Sequence, residues 1–349
     1  MLAALTGVLY VGPRFIPGLK RLPASHERRL PSLGAATGWV GSDSLAPDAL
    51  LGHPSLLLVW NDTDPRSLEA LQVAEAWHRA FTPLGCRIVA VHAPDFAFAT
   101  DRSVPTRIAE SLGLTLPIAL DAALQLQSAL GGATDGPHVL VADATGRVVL
   151  DTVGALAAGE LALRELYGRL PAGAGLPGLL ATTSSLRVKT VYLGIGRVHA
   201  GPLVGFSPGT DHTLTAQFRY QEQGERWAPY PVGRWRAGIE GATALRAGAA
   251  DFVAIRYSAR RAGVVVSPPP GGSGRLWVLL DDQWPAASEC GADVAFDGHD
   301  AAYVEVTESR LYWLLQGGGE RVLKLSPATA GLTVHAFVFE NADEDDRKE

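Results

Sequence analysis

Near residue 171 the chain changes its hydrophobic rhythm, and that change constrains the fold more than any single motif does. Ahead of it, short apolar runs alternate with segments whose apolar residues recur at helical spacing, the pattern of a sheet layered with helices. Beyond residue 185 only short runs remain, separated by turn-rich sequence, which is the pattern of β structure alone. Residues 171–185, rich in Gly, Ala, Pro, Ser and Thr, have no period of their own and read as a boundary. A chain of 349 residues is also too long for one comfortable core. The expected organisation is an N-terminal arm and linker (1–35), an α/β domain (36–170), a linker (171–186), a β-sandwich (187–342) and a charged tail (343–349).

In the first half, residues 55–60 (SLLLVW) form a continuous apolar run, as in a central strand covered on both faces. Residues 68–80 follow as a helix, 87–92 as a strand, 104–112 as a helix, 117–120 as a short strand and 122–130 as a helix. Residues 138–142 and 147–152 are strands joined by the polar, Gly-ended turn 143–146, and 159–167 closes the unit as a helix. The order implies a mixed sheet with helices on both faces. In the second half, residues 213–218, 251–257, 263–266, 276–280, 303–306, 311–315 and 332–339 read as strands of a sandwich.

Composition excludes several classes of function. Thirty Lys and Arg against 36 Asp and Glu leave a net charge of −6 without a basic stripe, so nucleic acid is not an expected partner. With 47% hydrophobic residues the chain has ample material for a core. The apolar opening, residues 2–11, is too short to span a bilayer and poor as a signal peptide; it reads as a strand or docked arm, with a truncated export signal as the other reading. No membrane span and no cofactor are expected. No two of the nine histidines lie two to five residues apart, so no metal site is expected either. Serine catalysis lacks a nucleophile elbow, and Gly194-Ile-Gly196 lacks the helix and Lys-Ser pair of a phosphate loop.

Several motifs carry a family resemblance. Residues 91–98 (VHAPDFAF), 112–121 (LGLTLPIALD) and 141–147 (VADATGR) resemble signatures of the thioredoxin-like domain in DipZ-type cytochrome c biogenesis proteins. Residues 191–197 (VYLGIGR), 233–235 (GRW), 278–282, 291–294, 310–312 and 336–339 resemble the carbohydrate-binding-module-like sandwich that follows it there. The resemblance implies a thioredoxin-like α/β/α domain followed by a jelly-roll-like β-sandwich. It also implies a WTxTCxxCL stretch after the central strand, where this chain reads Trp60-Asn-Asp-Thr-Asp-Pro-Arg-Ser-Leu68. Asp64 and Ser67 thus stand where two cysteines would, and neither can form a thiolate or resolve a mixed disulfide. Gly136-Pro137 aligns with the loop that holds a cis-proline in such folds, and a cis bond is implied there.

The residues themselves suggest quieter roles. Asp64 reads as a helix N-cap with Pro65 at the first helical position, and Asp62 as a solvated loop residue. Cys86 opens a strand, where a thiol is a small buried hydrophobe. Trp235, Trp277 and Trp313 lie in apolar strand patterns and read as core, whereas Trp227 and Trp284 lie in turn sequence and are the candidates for stacking on a glycan. The expected function is a redox-inactive binding or scaffolding module for a protein or glycan partner. The alternative is an atypical thiol-disulfide oxidoreductase working through Cys86. A cytoplasmic location is the expectation, with an extracytoplasmic one implied by the resemblance.

Overall fold

The computed structural model describes residues 28–41, 44–168, 178–181, 186–197, 211–214 and 225–341. The expected N-terminal strand or arm, the charged tail, most of the boundary segment and the end of the strand expected at 213–218 lie outside these residues. The described residues fall into two compact units, one drawn from 28–60, 69–93 and 106–181, the other from 61–68, 94–105 and 186–341.

The α/β region runs β1 (Gly38–Val40), β2 (Ser55–Trp60), α1 (Pro65–Phe81), β3 (Arg87–His92), α2 (Ser103–Leu112), β4 (Ile118–Leu120), α3 (Gln125–Ala129), β5 (His138–Ala142), β6 (Val148–Val153) and α4 (Leu156–Tyr167). Its sheet has the order β1-β4-β3-β2-β5-β6, with β2, β3 and β4 parallel and the remaining pairs antiparallel. Every residue of β2 is buried, as its unbroken apolar run requires. Alternate side chains go to opposite faces. Leu57, Val59, Val89, Val91 and Leu140 share one core with Leu126 and Leu130 around α3. On the other face α4 approaches the sheet at Gly159, where a Cβ would lie 2.7 Å from Val139 Cγ1, so only glycine permits that spacing. The β5–β6 turn closes on Asp143, whose Oδ1 accepts from the Thr145 and Arg147 amides at 2.9 and 3.2 Å, with Gly146 at φ +80°. This is an α/β domain built on a mixed six-stranded sheet.

The β region comprises β7 (Val188–Tyr192), β8 (Asp211–Leu214), β9 (Pro229–Ala237), β10 (Ala242–Ala244), β11 (Phe252–Ser258), β12 (Arg261–Ser267), β13 (Gly274–Leu280), β14 (Ala295–Phe296), β15 (Ala302–Val306), β16 (Arg310–Gln316), β17 (Glu320–Pro327) and β18 (Thr333–Glu340). One layer has the order β14-β15-β13-β17-β11-β9 and the other β9-β10-β18-β12-β16, with β7 on β18 and β8 on β9. All of these strand pairs are antiparallel. Strand β9 belongs to both layers: residues 229–232 pair with β11, and residues 235–237 with β10. It turns from one to the other at Gly233, at φ +95°, where a Cβ would fall 2.1 Å from Asp251 Oδ1. Val253, Leu276, Leu323 and Val304 of the first layer meet Val264, Leu314, Val334 and Phe337 of the second in one core.

The sandwich corrects two expectations. Along β13, Leu276, Val278 and Leu280 are buried and the residues between them are not, so Trp277 points away from the core. On β16 Trp313 is likewise only partly buried, with the Arg261 guanidinium 3.9 Å above its ring. Both sit at alternate positions of strands whose other residues fill the core. Trp235, by contrast, is fully buried.

Candidate functional site

The segment after β2 folds as a polar turn. Asn61 Oδ1 accepts from the amides of Thr63 and Asp64 at 3.1 and 2.8 Å, which bends the chain sharply into α1. Asp64 Oδ1 accepts from the Arg66 amide at 2.9 Å, the bond of a helix N-cap. Its carboxylate also meets the Arg66 side chain through Nε at 3.0 Å and Nη2 at 3.0 Å. Ser67 Oγ accepts from the Asn61 amide at 3.4 Å. Asp64 and Ser67 are both buried. So is Asp62, contrary to its expected solvation, because the tight turn on Asn61 tucks it in.

No thiol stands at this helix start. Cys86 is fully buried, and burial pushes its pKa up to about 11. Cys290 is partly buried, and burial followed by the nearby Glu289 raises its pKa as well. Both cysteines are free and protonated at neutral pH, so neither is poised as a nucleophile. At the end of β2 the Trp60 ring stands 4.6 Å from that of His92, and its Nε1 is a buried donor without a partner among the described residues.

The Gly136-Pro137 peptide is trans, which corrects the implied cis bond. Gly136 at φ +119° supplies the turn instead, and the Pro137 carbonyl accepts from Gly154 N at 2.8 Å. Next to it, His138 Nε2 lies 2.5 Å from Asp151 Oδ1, and Arg28 pairs with the same carboxylate. Burial would raise the pKa of Asp151, but the His138 and Arg28 contacts outweigh it and leave the pKa lowered.

Two buried glutamates that the sequence did not single out fix the helices. Glu75 of α1 accepts from Thr115 Oγ1 at 2.6 Å and from the Thr115 and Leu116 amides at 2.8 Å each. Burial acts to raise its pKa, yet these bonds and Arg79 lower it to about 2. Glu160 of α4 accepts from Trp77 Nε1 at 3.0 Å and from the Leu180 and Ala181 amides, tying down part of the boundary segment.

The two tryptophans proposed as sugar platforms part company. Trp227 is 7% exposed, its ring 5.1 Å from Phe339 in the core; this corrects the expectation that it is free to stack on a ligand. A turn at φ +70° swings the residue inward despite its polar neighbours. Trp284 is 44% exposed. It lies 5.9 Å from Trp277, which in turn stands 5.8 Å from Tyr303, and Arg275 covers the Tyr303 ring at 3.9 Å. Trp277 and Tyr303 face each other across β13 and β15. Their outward placement follows from strand alternation once the register is known, a signal available only in part from sequence. Among the described residues no group of three or more His, Cys, Asp or Glu could hold a metal ion, and no helix is long and apolar enough to cross a membrane.

Residues 189–339 match a family described as "Thioredoxin like C-terminal domain". The β region carries that likeness. Over 266 residues the chain is 27% identical to Protein DipZ of Mycobacterium bovis and, equally, to Protein DipZ of Mycobacterium tuberculosis. The matches cover 72% of this chain and 36% of each relative, so it spans about a third of their length. Among solved structures, a thioredoxin-like protein in its oxidized form matches 41% of this chain and 96% of its own, at 20% identity and a TM-score of 0.37. A putative thiol:disulfide interchange protein DsbE from Chlorobium tepidum covers 35% and 82%, at 17% identity and a TM-score of 0.30.

Proposed function

We propose that this chain is a redox-inactive thioredoxin-like protein that serves as a binding or scaffolding module for a protein or glycan partner. The observation that carries the reading is the start of α1, where a thioredoxin-like catalyst needs a thiolate. There Asp64 caps the helix and is held by Arg66, and Ser67 lies buried beneath. A hydroxyl and a carboxylate cannot exchange disulfides. The likeness to DipZ supports a thioredoxin-like context, and this chain has no cysteine at that helix start.

For the binding role, the exposed face of Trp284 with Trp277, Tyr303 and Arg275 beside it supports a glycan partner, since aromatic faces stack on the apolar faces of sugar rings. The full chain added to insulin and dithiothreitol should not accelerate disulfide reduction over dithiothreitol alone. Wild-type turnover that disappears in Cys86→Ser would overturn the reading in favour of an oxidoreductase. Glycan-array binding by the full chain tests the partner, and a Trp284→Ala variant that kept full affinity for every bound glycan would remove the aromatic platform.

A further inference from the structure

Far along the sequence from the α1 start, three strands assemble a serine and a histidine in hydrogen-bonded contact. Strand β18 carries a bulge: Val265 pairs with Ala336 and Val266 with Val334, which leaves His335 as the extra residue. Bulges re-aim side chains, and this one turns His335 toward the end of β12. His335 Nε2 lies 2.7 Å from Ser267 Oγ, and His335 Nδ1 lies 3.0 Å from the Glu240 carbonyl oxygen. A carbonyl only accepts, so Nδ1 carries the proton and Nε2 is left to accept from the Ser267 hydroxyl. Ser309, just ahead of β16, donates to Ser267 Oγ at 2.8 Å.

We propose that Ser267 is a nucleophile and His335 its general base, forming a site for small, uncharged carboxylic esters. A hydroxyl bonded to an imidazole whose other nitrogen is fixed by a third group is the arrangement that activates serine, whatever the fold or chain order. Burial holds His335 below the usual histidine range, so the neutral base is the resident form. Glycine at 241 permits the close approach of its backbone, since a Cβ there would meet Val334 O at 2.6 Å and His335 Nδ1 at 3.1 Å. Ser267 and Ser309 are partly exposed. The hydrogen-bonding groups around it are hydroxyls, an imidazole and a carbonyl, so the substrate class is uncharged.

In the reaction, Ser267 Oγ bonds to the ester carbonyl carbon while its proton passes to His335 Nε2. The C–O bond to the leaving alcohol then breaks, and the alcohol takes that proton. Water hydrolyses the resulting seryl ester by the same route, releasing the carboxylic acid and restoring the Ser267 hydroxyl. Ser309 holds Ser267 Oγ in place through the hydrogen bond it donates. This site is independent of the proposed binding role.

Diisopropyl fluorophosphate, which transfers its phosphoryl group to an activated serine with loss of fluoride, tests the pair on the full chain by mass spectrometry and peptide mapping. The expected result is one adduct on Ser267, absent in Ser267→Ala and formed about 100-fold more slowly in His335→Gln. p-Nitrophenyl acetate hydrolysis should exceed that of Ser267→Ala. An unlabelled Ser267 after a time that fully labels trypsin would overturn the proposal, as would equal labelling rates in folded His335→Gln and wild type. If His335→Gln does not fold, mapping of the adduct in wild type and its loss in Ser267→Ala decide the matter alone.

Discussion

The start of α1 and the outer face of β13 both gather side chains that could recognise a ligand, but they treat those side chains in opposite ways. At the helix start the polar groups turn inward: Asn61 binds the next two amides, Asp64 binds Arg66, and Asp64 and Ser67 are buried. On β13 the sheet sends Trp277 outward to meet Trp284 and Tyr303, and Trp284 keeps 44% of its surface open. A site whose polar groups are buried and hydrogen-bonded holds the fold together, whereas a site with an exposed ring retains surface for a partner. Position in a fold known for chemistry therefore says less than what the side chains there still have free.

The sharpest way to break this comparison is to place a thiol pair at the closed site. The double variant Asp64→Cys with Ser67→Cys should form a reducible disulfide and gain insulin reductase activity that wild type and both single variants lack. Residues three apart on a helix lie within roughly 5 to 6 Å, and the helix N-terminus favours a thiolate. A folded double variant whose thiols could not be oxidised to an intramolecular bond would show that positions 64 and 67 do not have the geometry of a redox pair.

A smaller effect is expected from Glu75, which anchors the middle of the same helix. Removing a buried carboxylate with several amide partners, as in Glu75→Ala, should cost about 2 to 3 kcal/mol in urea unfolding, because those amides lose their acceptor. Its pKa is depressed to about 2 from 4.5, so its stabilisation is present above pH about 4.5 and is lost as pH falls toward about 2. Glu75→Gln should flatten the acid limb of stability against pH over that window; an unchanged limb would count against the role.

On the open face, Trp284→Ala should weaken binding of any glycan found on an array by about tenfold, or about 1.4 kcal/mol, with little change in thermal midpoint. Trp227→Ala should instead lower the thermal midpoint, since its ring packs on Phe339. The smallest change sharpens the contrast from the other side. Asp64→Ala should destabilise by about 1 kcal/mol through loss of the cap, without altering glycan affinity.

Sequence alone reveals much of the α/β region because its signals are local. The unbroken run of β2, the helical spacing of α1 and the Asp143–Gly146 turn each state their structure within a few residues. Strand β1 escapes notice because three residues carry too little pattern. In the β region, β17 is hidden because Arg321 and Lys324 flank Val322 and Leu323 and leave no long apolar run. The faces of Trp277, Trp313 and Trp227 depend on strand register and on a positive φ, properties settled by partners distant in the chain. The Ser267–His335 pair is hidden for the same reason, since its members come from separate strands and meet only through a bulge.

Strand β9 carries a consequence for how the β region opens. Because residues 229–232 bond to β11 and residues 235–237 to β10, neither layer can peel away without fraying the strand that also edges the other. Amide protons of β11 and β17 should therefore exchange with solvent in step with those of β10 and β18, as one cooperative unit rather than two leaves with separate lifetimes. The bend at Gly233 is the point where that shared fate is enforced, for a side chain there would collide with Asp251 and uncouple the layers at their common seam.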